Sequence, residues 1–173
     1  VATANFVTRQ FPCEVEDTTQ STTGTIGTGT SDISGVPVND GWGNTMCQSI
    51  YLASELTDMG LGNTITSITY TWTNNSTYAK EFSIYMTNTS ATEFTSTSAS
   101  SWQPTGAAAL VYNGPHPTGT SGSVTYQLAT PFVWDGSSNI CITTTMNQPA
   151  GASHSSSGFY GKSTQTSPQV YRT

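Results

Sequence analysis

Apolar and polar residues alternate along most of this chain. Ile68, Tyr70 and Trp72 fall on one side of an extended segment, with Ser67, Thr69 and Thr71 on the other. That period of two predicts a strand with one buried face over 65–73. Phe82, Ile84 and Met86 repeat the pattern, as do Val124, Tyr126 and Leu128, then Phe132 and Trp134, then Ile140 and Ile142. Residues 46–56 read as a strand ending in a single helical turn at Ala53-Ser54-Glu55-Leu56, and Val170-Tyr171-Arg172 as a last strand. Turn formers punctuate the runs at Asn74-Asn75-Ser76, Asn113-Gly114-Pro115 and Asp135-Gly136-Ser137-Ser138-Asn139, the last read as a hairpin turn. Eight or nine short strands, each with one apolar face, call for two sheets packed face to face. The expected fold class is all-β, an antiparallel two-sheet β-sandwich of jelly-roll or Ig-like kind.

Composition sharpens this picture. Ser and Thr number 23 and 33 of 173 residues, while the charged fraction is 8%. Such a polar chain raises the prospect of disorder. The 18 aromatics at strand-like positions oppose it. Glu, Lys, Arg and Leu are scarce and β-formers plentiful, which argues against helices. The length fits one domain. Residues 1–23 read differently from the rest and are set apart as an extension or linker, leaving 24–173 for the sandwich.

The net charge is −6. Four basic residues, Arg9, Lys80, Lys162 and Arg172, cannot supply a phosphate-binding surface, so nucleic acid is not an expected partner. The apolar runs are too short for membrane insertion. The chain opens on Val1 with no leader, which predicts a mature or excised extracellular piece.

Chemistry is sparse. No zinc-protease, nucleophile-elbow, P-loop or dinucleotide pattern occurs, and His116 and His154 fall in loop-like sequence. No enzyme activity, cofactor or metal is expected. Asp135-Gly136-Ser137-Ser138-Asn139 lacks the alternating acids and closing Glu of a calcium loop. Three cysteines, Cys13, Cys47 and Cys141, allow three pairings with one thiol left over, three reduced thiols, or a bridge between chains. Alternation places Cys141 away from the face of Ile140 and Ile142. Trp72 and Trp134 read as core. Trp42, Trp102 and Tyr78 lie near loops, where a ring either caps an end of the sandwich or stacks on a sugar. Asn74, Asn75 and Asn88 each begin an Asn-x-Ser/Thr triplet.

Several blocks carry a family likeness. They include Ile26-Gly27-Thr28-Gly29-Thr30, Gln48-Ser49-Ile50-Tyr51-Leu52-Ala53-Ser54-Glu55-Leu56, Ile84-Tyr85-Met86-Thr87-Asn88-Thr89, and Pro131-Phe132-Val133-Trp134-Asp135-Gly136. On these, residues 24–172 resemble a secreted β-sandwich module of multidomain surface proteins of the Bacteroidota, exported by the type IX route. The resemblance implies a non-catalytic module with adhesion or glycan contact as its role, and carries no ligand residues. It also implies O-glycosylation at Asp-Ser/Thr motifs, which makes Thr18 in Asp17-Thr18-Thr19 a candidate sugar carrier.

The expectation that follows is an extracellular structural or adhesive protein of the bacterial surface. It partners with copies of itself, with neighbouring surface modules, or with glycans. One form of it is a filament subunit whose N-terminal segment adds as a strand to a neighbour, anchored by Phe6, Val7 and Phe11. The alternative is a carbohydrate-binding module that stacks sugars on Trp42 and Trp102.

Overall fold

A computed structural model describes residues 24–26, 31–34, 37, 44–57, 64–74, 80–96, 98–116, 122–147, 158–161 and 169–172. Among them run β1 (Ser31–Ser34), β2 (Asn44–Tyr51), α1 (Ala53–Thr57), β3 (Thr64–Asn74) and β4 (Lys80–Thr89). There follow β5 (Ala109–His116), β6 (Gly122–Val133), β7 (Asn139–Asn147), β8 (Gly158–Gly161) and β9 (Gln169–Arg172). They form two antiparallel sheets, ordered β1-β8-β3-β6 and β5-β4-β7-β2-β9.

The pairing has a simple logic. β1 pairs with β8, β2 with β7, β3 with β6 and β4 with β5. The first four strands thus run beside the next four in reverse order. The chain is one long two-stranded ribbon whose pairs alternate between the sheets, and the connection from β4 to β5, residues 90–108, closes its tip.

The core is where alternation places it. Trp72, Tyr126, Leu128 and Phe132 from the four-stranded sheet meet Phe82, Ile84, Met86, Ile140, Ile142 and Met146 from the five-stranded sheet in one buried cluster. Ile68 and Tyr70 pack against it. The opposite face of β3 is polar and exposed, and its hydroxyls pair across the ladder: Thr69 with Thr125 at 2.8 Å and Thr71 with Ser123 at 3.3 Å. The expected helical turn is α1. Its first turn is closed reciprocally, since the Leu52 N–H donates to Glu55 Oε2 at 2.8 Å and the Glu55 N–H to the Leu52 carbonyl at 2.9 Å.

Two turn expectations are corrected. Asn113-Gly114-Pro115 is not a turn but lies inside β5. β5 is an edge strand, where a proline without an N–H is tolerated. Gly114 leaves room for Tyr112, whose hydroxyl oxygen would stand 2.9 Å from an added Cβ and donates to the Pro115 carbonyl at 2.9 Å. One extra residue, Val111, sits between the rungs Ile84–Tyr112 and Tyr85–Leu110. This bulge turns Val111 into the core and leaves Leu110 exposed.

Asp135–Asn139 is a turn but not a hairpin, because β6 and β7 belong to different sheets. It carries the chain across the sandwich. Asp135 Oδ1 accepts the Ser137 and Ser138 N–H groups at 2.8 and 2.7 Å, and Gly136 takes a φ of 81°. The Trp134 indole closes the turn by donating to the Ser138 carbonyl at 2.6 Å. Hydrogen bonds from Ser138 and Ser137 hold the Asp135 carboxyl down at about 2.

Candidate functional site

The two sheets treat their outer faces differently. On the five-stranded sheet the inward residues of β7 are Ile140, Ile142, Thr144 and Met146, so Cys141 and Thr143 point the other way with Gln48 and Ile50 of β2. That outer face would meet solvent, yet Gln48, Ile50, Cys141 and Thr143 are all buried. Residues 90–108 fold back over it. Phe94 packs on Ile50 and Cys141 in a second small cluster, flanked by Leu52 and Ala91.

Side-chain amides fasten this excursion at both ends. Gln48 is 1% exposed. Its Nε2 donates to the Gln103 carbonyl at 2.9 Å and to Thr143 Oγ1 at 3.0 Å, while its Oε1 accepts the Gln103 N–H at 2.9 Å. Gln103 Oε1 in turn accepts the Thr89 hydroxyl at 2.7 Å. Asn139 does the same work at the other end. Its Nδ2 donates to the Ala91 carbonyl at 2.9 Å and its Oδ1 accepts the Ala53 N–H at 2.8 Å. Side-chain amides that satisfy backbone groups of distant segments fix a loop's position rather than merely covering a face.

Beside these anchors lies a surface cavity of about 410 Å³, lined by Ser90, Thr92, Glu93, Ser101, Trp102 and Gln103 among others. Trp102 is half-buried, while Ser90, Thr92 and Glu93 are exposed. Trp102 follows a single 3-10 turn, Ala99–Ser101, held by Ser101 Oγ donating to the Ser96 and Ser98 carbonyls at 2.6 and 2.9 Å. An indole, several hydroxyls, an amide and one carboxylate surround an open space. Chemically this suits a polyhydroxylated ligand, with the ring against its apolar face and the polar groups on its hydroxyls.

Of the residues singled out from sequence, Trp102 is brought to this cavity, next to Gln103, which is fastened to the outer face of the five-stranded sheet. Trp42, Tyr78, Phe6, Val7, Phe11, Cys13, Thr18 and His154 lie outside the described residues. Cys47 and Cys141 are both buried thiols. A bridge between them is corrected away: they sit three rungs apart on the β2–β7 ladder and on opposite faces. Three rungs span about 10 Å, beyond the roughly 7 Å that a disulfide allows between Cα atoms. Burial pushes the Cys141 thiol up to about 11.

His116, expected in a loop, ends β5 and is 2% exposed. Its ring lies 3.8 Å from that of Trp72, and Nδ1 shares a 2.6 Å hydrogen bond with the Tyr126 hydroxyl. It packs as part of the core. Burial, then the neighbouring Tyr112, pushes the Tyr126 phenol up. Among the described residues no three His, Cys, Asp or Glu gather as metal ligands, and no helix is long and apolar enough to cross a membrane.

Sequence reasoning missed Gln48, Gln103, Asn139 and Glu93 as parts of a site. Gln48 carried a signal, as a polar residue alternating with Met46 and Ile50 on one face of a strand. The others carried none, because their partners come from distant segments. No family model, curated protein or solved structure matches this chain.

Proposed function

We propose that this protein is a non-catalytic, extracellular β-sandwich of the bacterial surface whose adhesive work is to hold glycan chains in the cavity beside Trp102. One observation carries the reading: a half-buried tryptophan and a set of hydroxyl and amide groups share a cavity of about 410 Å³. Its supports at Ala91 and Gln103 are fastened to a sheet by Asn139 and Gln48. Prefixed aromatic and polar groups bind sugars without a further ordering penalty. The extracellular bacterial location is part of this proposal and rests on the sequence blocks of residues 24–172 alone. The strand order β1-β8-β3-β6 against β5-β4-β7-β2 supports a jelly roll, an arrangement of eight strands in two Greek keys that lectin domains use.

Assembly into a filament through Phe6, Val7 and Phe11 would take a particular form in this fold. The positions of β1 to β8 are filled by the chain's own strands. An exchanged segment would therefore add along an edge, at β1, β6, β5 or β9, rather than fill a gap.

Native affinity electrophoresis in gels containing neutral polysaccharides tests the glycan reading. Retardation of the full chain is expected, and Trp102→Ala should abolish it in a chain that still unfolds cooperatively. A chain that migrates freely through every polysaccharide, or a Trp102→Ala variant retarded like the parent, overturns the proposal.

A further inference from the structure

We infer that the glycan held beside Trp102 carries free amino groups, and that Glu93 selects it. This rests on the glycan reading above and names its ligand class. Among the described residues lining the cavity, Glu93 is the only charged one. The rest of the lining offers neutral hydroxyls, one amide and an indole. Both distinctive groups therefore attract positive charge: a carboxylate directly, and a tryptophan through its ring quadrupole.

The rest of the molecule points the same way. Net charge is −6, so the surrounding field favours cations. Lys80 is buried at the opposite end of β4 from the cavity, about 30 Å away along the strand. Arg172 pairs with Thr45 near the start of β2. An acidic sugar would enter this cavity facing a carboxylate with no lysine or arginine among the described lining residues. A neutral sugar would press its apolar face on Trp102 and leave the Glu93 carboxylate partly desolvated and without an ionic partner. A hexosamine unit with a free amine satisfies both, its ring on the indole and its ammonium on the carboxylate.

Glycol chitosan and glycol chitin make the test, since they share a backbone and differ in whether the amine is free. Polygalacturonate serves as the acidic comparison. The full chain should bind glycol chitosan about fivefold more tightly than glycol chitin, the ratio one partly exposed charge pair supplies. It should not bind polygalacturonate. Glu93→Gln should bring the first two together while keeping retardation by glycol chitin. Glu81→Gln, which removes an exposed charge of β4 outside the cavity lining, should leave the preference in place.

If Glu81→Gln erases the preference as fully as Glu93→Gln, net charge is responsible and the inference fails. Equal binding of the two chitin derivatives by the parent chain, or binding of polygalacturonate, overturns it too. Loss of the glycan reading looks different: Trp102→Ala would then leave every one of these affinities unchanged.

Discussion

The outer faces of the two sheets are both set apart from the core by alternation, and they differ in the folded chain. On the four-stranded sheet, Thr69, Thr71, Ser123 and Thr125 face solvent and bond to one another across the ladder. On the five-stranded sheet, Gln48, Thr143, Cys141 and Ile50 lie under residues 90–108. Alternation assigns both sets to an outside surface, although the second includes the apolar Ile50 and the longer Gln48. The difference is the tip of the ribbon, which is long enough to fold back over its own sheet. A covered outer face acquires two things an exposed one lacks: side-chain amides that fix a loop, and a cavity at that loop's edge. The candidate site arises from this asymmetry and not from any motif.

Substitutions can measure how far the covered face differs from the core on one side and the exposed face on the other. The largest effect belongs to the core. Ile84 is fully buried between the sheets, and Ile84→Ala should remove about 2–5 kcal/mol of stability, read as a lower urea midpoint for the whole sandwich. A loss below about 1 kcal/mol would mean the two sheets do not share this layer.

Gln48→Ala should come next, at about 1–3 kcal/mol, because it strands the Gln103 N–H and carbonyl. Its signature is local. Amide exchange should accelerate across 90–103 while β3 and β6 stay protected, and Cys141 should become open to alkylation at pH 8. In the parent chain that thiol, raised to about 11 and shielded, should stay unreacted. The sign follows from the raised value: the contribution of this thiol to stability is present below its ordinary pKa of 9.0 and is lost as pH rises through about 11. Uniform loss of protection in both sheets would make Gln48 part of the core rather than a clasp.

Asp135 sits where the chain crosses between sheets, outside both faces, and its effect is smaller. Its carboxyl is held at about 2 against an ordinary 3.8, so the stabilisation it gives is present above pH 4 and fades as pH falls towards 2. Asp135→Asn should flatten the acid limb of a stability profile over that window. An unchanged limb would show that the turn holds without its charge.

The exposed face should respond least. Thr69→Val removes one surface hydroxyl contact and should shift stability by no more than about 0.5 kcal/mol. A loss equal to that of Gln48→Ala would erase the contrast between the two outer faces.

The core and its sidedness were legible in the sequence. Ile68, Tyr70 and Trp72, then Phe82, Ile84 and Met86, declared their face by a period of two, and Cys141 declared the opposite face by alternating with Ile140 and Ile142. Burial of apolar area rewards that spacing directly, whichever strand becomes the neighbour. Weaker strands escaped notice. β1, β5 and β8 hold Ser, Gly or Pro in place of a clean apolar series, and they are ordered by the partner that pairs with them. The Asn-Gly-Pro of β5 showed how misleading local chemistry is at an edge, where a missing N–H costs little.

Alternation along the sequence thus determined which side chains turn inward. Only the tertiary structure decided which outer face is covered, where Gln48 meets Gln103 across 55 positions of chain, and that Trp102 borders a cavity. Periodicity is a property of neighbours along the backbone. A cavity is a property of segments brought together by the closing of the ribbon, and its position follows from the length and path of the tip.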